Sequence, residues 1–353
     1  MSLNRDFAVL FAAAYFPSQK QLRICDPMTG CGVRAARYVR ESPNRMRVVA
    51  ADKDPEAVNA AKRTIGLNSI GEEVLAIESD ANVLLTQHLQ DRFDLVDLDP
   101  FGSPAPFFES ALRATLEGGI LAATATDMGP LTGARPAACF RKYGARPVRT
   151  EFEKELALRI LAGCLTRTAC QLNLGVEFAF THASDHYARV YASVSKGKTS
   201  ANQSAKRLGF LEYCPKCLMR ESRISLESIQ MVCRNCESKA YVGGPIWLGP
   251  LWDGATVRKM VQLTPTLASA RISDIQTILS RISQELDSPA LYYRTDEFAR
   301  TLRIKPPGIV EVIETLHRAG YQATRTHFAP NGFRTDAQIG GLISLLRNLT
   351  KKA

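Results

Sequence analysis

A glycine-rich turn and two aspartates follow successive apolar segments in the first part of the chain. The segment DPMTGCGVRAARY at 26–38 comes directly after an apolar run and opens a helical pattern, so Gly30 and Gly32 allow a tight turn that a ligand can approach closely. Asp52 and Asp80 end the next two apolar runs. A carboxylate can accept hydrogen bonds from ribose hydroxyls at the first position and from the exocyclic amine of adenine at the second. Together these residues predict a site for a nucleoside-bearing cofactor, although either aspartate alone could be a helix N-cap.

Arg34 lies in the first turn of the helix that follows the glycines. A cation at this end of a helix opposes the helix dipole, so its presence needs another reason. A ligand carboxylate would supply one, and methionine derivatives carry such a group. We therefore predict that Arg34 contacts the cofactor.

The segment DLDPFGSP at 97–104 follows the fourth apolar run and has the residue types needed to activate an aromatic amine. Such an amine is a poor nucleophile because its lone pair is delocalised into the ring. If Asp99 and the carbonyl of Pro100 accepted its two N–H bonds, the lone pair would be localised and aimed, and Phe101 would offer a stacking face. A sulfonium methyl donor needs no acid, since its leaving group is neutral. The segment predicts N-methylation, whereas a plain Pro-Gly turn after a strand explains only part of the pattern.

Two C-x-x-C pairs separated by fifteen residues stand in the second half, at Cys214, Cys217, Cys233 and Cys236. This is the spacing of a four-thiolate zinc ribbon, in which two tight turns each present a pair of sulfurs. Four cysteines would close the coordination shell. We therefore predict a structural rather than a catalytic Zn²⁺ within residues 210–240.

Apolar runs alternate with amphipathic stretches in the first half. The runs predicted to be strands are 22–26, 46–52, 72–80, 93–99 and 118–127. The stretches predicted to be helices between them are 33–41, 55–68 and 104–117. Strands that alternate with such helices form a parallel sheet covered by helices. A long helical segment at 151–173 and an antiparallel hairpin of two β-rich runs follow. An α/β, Rossmann-like sheet with an antiparallel last strand is the layout of class I S-adenosylmethionine-dependent methyltransferases, and NAD-binding dehydrogenases do not normally end that way.

The second half differs from the first in charge and pattern. Of the net charge of +10, residues 1–199 supply +2 (24 basic against 22 acidic) and residues 200–353 supply +8 (21 against 13). The polar, basic segment 196–210 separates them, and a helical pattern with a short hairpin at 321–335 follows the cysteines. We therefore predict a cofactor-binding catalytic domain at 1–199 and a basic α+β domain at 200–353. Such a charge suits a polyanionic backbone or an anionic membrane surface.

Composition excludes several classes of protein. No run approaches the 18 apolar residues that a transmembrane helix requires, and the N-terminal residues lack the basic region and cleavage site of a signal peptide. We expect a cytoplasmic protein with no disulfide framework. No feature indicates an obligate protein partner, so we also expect a monomer.

Six motifs carry a resemblance that runs collinearly through almost the whole chain. They are LNRD at 3–6, DLDPFGSP at 97–104, TATDMGPLTGARPAACFRKYGARPVR at 124–149, DHYARVY at 185–191, GPIWLGPL at 244–251 and RTHFAPNGFRT at 325–335. Together they resemble the tRNA (guanine-26-N2)-dimethyltransferase family. The resemblance implies transfer of one or two methyl groups from S-adenosylmethionine to N2 of a guanine in tRNA.

The resemblance also assigns roles to individual residues. The residues that match the family's cofactor-contacting positions are Arg5, Arg34, Asp52, Asp80 and Ala81. Asp99 matches the catalytic acid, and the family's C-terminal domain contacts tRNA. In a tRNA enzyme, basic side chains become candidate phosphate contacts, here Arg135 in a basic run near the sheet edge and Arg325, His327 and Arg334 around the predicted hairpin turn.

Two other readings of the sequence stay open. The chemistry would also suit a methyltransferase acting on DNA adenine N6 or a protein amide, which would methylate those substrates and be indifferent to tRNA, or one acting on another RNA guanine. The other alternative is a tRNA-binding module whose methyl-transfer site has decayed, which a failure to bind S-adenosylmethionine would favour. The intact set Arg34, Asp52, Asp80 and Asp99 argues against decay.

Overall fold

The structure is a computed structural model and describes residues 2–17, 20–184 and 186–351. Its first half is built on a seven-stranded sheet of order β3-β2-β1-β4-β5-β7-β6. These strands are β1 (Leu22–Asp26), β2 (Met46–Asp52), β3 (Val74–Glu78), β4 (Phe93–Leu98), β5 (Thr115–Ala125), β6 (Leu174–Ala183) and β7 (Ala188–Lys196). The first five run parallel, whereas β7 is antiparallel to both β5 and β6. The predicted α/β sheet with an antiparallel last strand is confirmed.

Helices cover both faces of this sheet. They are α1 (Ser2–Tyr15), α2 (Val33–Glu41), α3 (Pro55–Leu67), α4 (Ala81–Gln87), α5 (Phe108–Ala114), α6 (Met128–Leu131), α7 (Pro136–Tyr143), α8 (Glu153–Gln171) and α9 (Lys198–Ala205). Short 3₁₀ turns stand at Ala105–Phe107, Leu226–Ser228 and Thr264–Thr266. Strand β5 begins earlier than predicted, at Thr115, because the pair 118–119 forms an irregularity inside the strand rather than its start.

Helix α1 was not predicted, although it packs deep in the protein. Phe7 and Phe11 are fully buried, and Phe11 stacks on Tyr191 of β7 with ring centroids 4.2 Å apart. Most of its residues are buried, so it has no broad polar face from which a helical period could be read. Its burial places the LNRD segment over the sheet.

The second half contains two small sheets and further helices. The first sheet has the order β10-β8-β9 and the second β11-β13-β12. These elements are β8 (Leu208–Tyr213), β9 (Arg220–Arg223), β10 (Tyr241–Trp247), α10 (Gly254–Leu263), α11 (Ile272–Glu285), β11 (Tyr293–Arg294), α12 (Thr295–Leu302), α13 (Ile309–Arg318), β12 (Ala323–Arg325), β13 (Gly332–Thr335) and α14 (Ile339–Lys351). The antiparallel pair β12 and β13 confirms the predicted hairpin.

The two halves of the chain share their packing. Trp247 of β10 lies edge-on to Phe178 of β6 at 5.0 Å, and the Trp252 indole N–H donates to the carbonyl of Thr181 at 2.9 Å. The polar segment around 196–210 forms α9, where the Ser204 hydroxyl bonds to the backbone of Val176 on the edge strand. Within the described ranges, no helix combines the length and apolarity needed to cross a bilayer.

Candidate active site

The glycine turn lies where β1 ends, beside the end of β2. The Gly30 N–H donates to Asp52 Oδ2 at 2.9 Å. Both glycines have positive φ, 54° at Gly30 and 73° at Gly32. A Cβ at Gly32 would stand 3.0 Å from Ala61 of α3, whereas one at Gly30 would meet no atom of the described residues within 4 Å. The turn is therefore closed toward α3 and open on the side of Gly30, where a ligand has room.

The two aspartates predicted to bind a nucleoside differ in their local roles. The cap of α3 is Asp54, so Asp52 is not a helix cap and instead accepts the backbone N–H groups of Gly30 and Asp54. Asp80 does cap α4, with Oδ1 accepting the N–H groups of Asn82 at 2.8 Å and of Val83 at 3.2 Å. These bonds orient both carboxylates at the carboxyl ends of neighbouring parallel strands. Ala81 follows Asp80 and is buried.

Arg34 is buried beneath this edge and is surrounded by acceptors. Its guanidinium donates to Asn4 Oδ1 at 3.2 Å, to Asp97 Oδ2 at 3.3 Å and to Asp99 Oδ2. The structure thus shows Arg34 holding one oxygen of Asp99. Its predicted contact with a ligand carboxylate stays a prediction.

Asp97 anchors the same network from the carboxyl end of β4. Both of its oxygens accept from Arg189 Nη2 at 2.8 Å, and Oδ2 also accepts the Tyr38 hydroxyl at 2.7 Å. Burial alone would raise the pKa of Asp97, but the guanidinium groups of Arg189 and Arg34 outweigh burial and lower it. Asp97 therefore stays ionised inside the protein and fixes Arg34 in place.

Asp26, at the end of β1, is a fully buried carboxyl group whose pKa is raised. Burial raises it to about 7, and the field of Arg34 opposes that rise. Its Oδ2 accepts the Thr29 hydroxyl at 2.9 Å, which ties the first residues of the turn to the end of β1.

Asp99 is poised to accept further hydrogen bonds. Its Oδ2 accepts from Arg34, while Oδ1 is buried and meets no donor among the described residues. Phe101 two residues later is fully exposed, whereas Pro100 between them is buried. The loop is held to the end of β5, because the Gly102 N–H donates to Thr126 Oγ1 at 2.6 Å and the Thr126 N–H to the Gly102 carbonyl at 2.9 Å.

Helix α1 contributes two polar residues to this edge of the sheet. Asn4 is fully buried, accepts from Arg34 and donates from Nδ2 to Thr124 Oγ1 at 3.4 Å. Arg5 is half-buried, and its guanidinium has no hydrogen-bond or ion-pair partner within the described ranges. Arg5 is thus available to an anionic ligand, in line with its predicted role.

The four cysteines do come together in the second half. Their sulfurs all lie within 4.8 Å of one another, with Cys214 to Cys236 and Cys217 to Cys233 each at 3.5 Å. Each C-x-x-C pair closes a turn in which the next residue has positive φ, 66° at Leu218 and 57° at Glu237. In both turns that residue's N–H donates to the carbonyl of the first cysteine. Tetrahedral Zn–S bonds of about 2.3 Å would place the sulfurs at about this separation, so the donor set fits a zinc ion.

Two of the four predicted tRNA contacts are not available at the surface. Arg334 pairs inside the protein with Glu285 at 2.6 Å and Glu155 at 3.0 Å, and the His327 ring, 2% exposed, pairs with Glu285 at 2.7 Å. Their prediction as phosphate contacts was wrong, because these groups compensate buried carboxylates. Arg325 is half-exposed and Arg135 is exposed, so both remain candidates.

The geometry at the sheet edge fits a nucleoside-bearing cofactor. The open side of Gly30, the oriented carboxylates of Asp52 and Asp80, and the unpaired Arg5 offer acceptors for hydroxyl and amine groups and a donor for a carboxylate. The buried, unpaired oxygen of Asp99 lies at the neighbouring strand end.

The chain matches the family described as TRM: N2,N2-dimethylguanosine tRNA methyltransferase over residues 1–347. The chain belongs to this family. It is 34% identical over 351 residues to a tRNA (guanine(26)-N(2))-dimethyltransferase of Methanosphaera stadtmanae, an alignment that covers 99% of this chain and 90% of the relative. A protein of the same description from Thermococcus kodakarensis is 36% identical over 363 residues, covering 99% of this chain and 92% of the relative.

A solved structure supports the same assignment for the family. It is the complex of Trm1 from Pyrococcus horikoshii with S-adenosyl-L-methionine, with a TM-score of 0.88 and 34% identity, covering 98% of this chain and 92% of that chain. The resemblance read from the sequence motifs is thereby confirmed.

Several residues of the site were not predicted as such. Asn4, Asp97 and Arg189 are the buried polar groups that fix Arg34 and Thr124. The sequence could have indicated Asp97 and Arg189, because a charged residue inside an otherwise apolar strand needs a buried partner. Nothing in the local sequence pairs Asp97 with Arg189, which stand 92 residues apart.

Proposed function

We propose that this chain transfers methyl groups from S-adenosylmethionine to N2 of guanine 26 in tRNA. The observation that carries the proposal is Asp99, whose Oδ2 accepts from Arg34 while its buried Oδ1 has no donor among the described residues. A buried carboxylate oxygen left without a donor costs free energy, so it is expected to be satisfied by a substrate. An exocyclic amine supplies the N–H donor that this oxygen lacks.

Each residue of the loop would act on the amine in a defined way. Asp99 Oδ1 and the carbonyl of Pro100 would accept the two N–H bonds, and the exposed ring of Phe101 would stack on the base. As the nitrogen forms its bond to the methyl carbon and the carbon–sulfur bond breaks, Asp99 would take the proton that the nitrogen loses. Bound S-adenosylmethionine supplies an electrophilic methyl group on a neutral leaving group.

The cofactor would be held by residues of the first half of the chain. Asp52 would accept the ribose hydroxyls, the Asp80 and Ala81 segment would face the adenine, and Arg5 would meet the carboxylate, with Arg34 beside it. The glycine turn at Gly30 and Gly32 would allow close approach. Residues 1–199 would thus hold cofactor and chemistry.

The second half would hold the tRNA. Its +8 charge lies outside the cofactor residues and suits RNA phosphates, with Arg325 as a candidate contact and Arg135 as another from the first half. To reach N2, the enzyme would extract the guanine from its stack. The four-cysteine cluster would carry a structural zinc ion that fixes the β8–β10 sheet.

A direct assay tests the proposed reaction. We expect the protein, incubated with an unmodified tRNA transcript and isotope-labelled S-adenosylmethionine, to place label on guanine 26 as N2-methyl or N2,N2-dimethyl guanosine, identified by nucleoside mass spectrometry. A transcript with adenosine at position 26 is the matched control and should remain unlabelled. Label on DNA, on protein or at another nucleotide would contradict the proposal.

Metal removal tests the zinc site separately. We expect about one zinc per chain by elemental analysis, and we expect Cys217→Ser to lose it while Cys170→Ser, outside the cluster, keeps it. Chelation should expose the segment between β8 and β10 to proteases. Unchanged protease resistance of the metal-free protein would argue against a structural ion.

A further inference from the structure

An open pocket of about 450 Å³ lies between α7 and β10, outside the site described above. Phe140 of α7, residues 146–149, and Tyr241 and Val242 of β10 line it. The two walls are joined by backbone hydrogen bonds between Arg146 and Gly244, at 2.9 and 2.8 Å. The pocket is therefore a fixed feature of the junction between the two halves.

Two exposed aromatic rings stand at this pocket with cations beside them. Phe140 is 58% exposed and Tyr241 is 43% exposed. The guanidinium carbon of Arg146 lies 5.8 Å from the Phe140 ring centroid, and the Lys239 ammonium lies 5.3 Å from that of Tyr241. Exposed rings with neighbouring cations are the surfaces on which single-stranded nucleic acid bases stack.

The arginines around the pocket are unpaired. Within the described ranges, the side chains of Arg135, Arg141, Arg146 and Arg149 form no ion pair or hydrogen bond, and no carboxylate lines the pocket. Buried arginines elsewhere, such as Arg189, are matched by carboxylates. The pocket therefore presents a positive field without a protein counterion, which is complementary to phosphate.

Helix α7 connects this pocket to the catalytic edge of the sheet. Lys142 and Tyr143, one turn after Phe140, both bond to Asp127, the former at 2.8 Å. Asp127 follows Thr126, which holds the Asp99 loop through Gly102. Helix α7 therefore contacts both the pocket and the segment that holds the Asp99 loop.

We propose that this pocket holds an unstacked nucleotide of the tRNA substrate, apart from the guanine that is methylated. The base would stack on Phe140 and Tyr241, and its phosphate would lie against Arg146 and Arg149. This proposal rests on the proposed function, because it assumes that the substrate is tRNA. Extracting one guanine disrupts the stack of its neighbours, and a second aromatic pocket would hold the distorted strand while methylation proceeds.

Measurements of tRNA affinity in pocket variants can separate the contribution of base stacking from that of phosphate contacts. We expect Phe140→Ala to weaken binding of the unmodified transcript by about 5- to 150-fold, the range for loss of one base–aromatic stack. Phe140→Leu keeps the apolar surface and should recover only part of this loss. The double variant Arg146→Ala, Arg149→Ala should reduce the slope of log affinity against log salt by about 2.

The control is an exposed arginine far from this surface. Arg47→Ala, at the amino end of β2, should leave tRNA affinity unchanged, and all four variants should bind S-adenosylmethionine as the wild type does. Ultraviolet cross-linking of the tRNA complex, followed by mass spectrometry, should attach Phe140 or Tyr241 to a single nucleotide other than guanine 26.

Different results would contradict the proposed role of the pocket and the proposed function. If the pocket variants bind tRNA with wild-type affinity and wild-type salt dependence and still methylate it, the proposed role of the pocket is wrong but the proposed function stands. A cross-link from these rings only to a protein would also reject it, in favour of a peptide occupant. Wild-type protein that binds tRNA through the pocket without methylating guanine N2 would reject the proposed function alone, and no tRNA binding would reject both.

Discussion

Replacing Asp99 by alanine should lower the rate of methyl transfer by about 100- to 10,000-fold, the usual contribution of a positioned acid or base. The reason is geometric: Oδ1 is the buried, unpaired acceptor of the loop, and its loss removes the group that localises the amine lone pair and takes the proton. Arg34 keeps Asp97 and Asn4 as partners, so the network beneath should survive. Single-turnover methylation of an unmodified tRNA transcript measures the effect.

Binding assays separate chemistry from folding in this variant. Asp99→Ala should bind tRNA and S-adenosylmethionine within a few-fold of the wild type. Asp91→Ala is the matched control, since Asp91 is a solvated carboxylate just before the opposite end of β4, paired at the surface with Arg23. Turnover of Asp99→Ala close to that of Asp91→Ala would rule out the mechanism.

Replacing Arg334 by alanine should destabilise the protein by about 3–5 kcal/mol, as breaking a buried ion pair does. Arg334 donates to Glu285 and Glu155 while almost fully buried, so its removal leaves two carboxylates partly uncompensated. Arg300→Ala removes an arginine from an ion pair whose arginine side chain is 73% exposed and should change the free energy of unfolding by less than about 0.5 kcal/mol. Urea unfolding measures the free energy of unfolding of both variants. Equal losses of stability in the two variants would contradict a stabilising role for the buried ion pairs of Arg334.

The same network predicts how stability depends on pH. Burial would raise the pKa of Glu155, but Arg334 and Arg159 lower it to about 2. Burial would likewise raise the pKa of Glu285, but His327 and Arg334 lower it to about 2. Because both values are depressed on folding, their stabilising contribution is present above an ordinary glutamate pKa of about 4.3 and is lost as the pH falls towards 2. The difference between wild type and Arg334→Ala should therefore be largest above pH 5 and narrow in acid, and a difference independent of pH would contradict this assignment.

Local sequence patterns predicted much of the sheet and of the candidate site at its edge. The bounds of β1, β2 and α2 agree with the apolar runs and the amphipathic stretch because each element is a short segment with one period. The alternation of strands and helices required a parallel sheet, so Gly30, Asp52, Asp80 and Asp99 were expected on one edge. The cysteine spacing likewise predicted the cluster, since two identical turns suffice to present its sulfurs.

Long-range packing decided what the sequence by itself did not. The sequence alone determined the α/β class, the order of the candidate cofactor residues and the cysteine cluster, because each depends on short local segments or on the alternation of strands and helices. Only the tertiary structure paired Asp97 with Arg189 and Arg34 with Asn4, and it buried Arg334 and the His327 ring against Glu285. A basic residue near a hairpin turn has the same local pattern whether it faces solvent or a buried carboxylate. Which of the two it meets is set by residues far away in the chain.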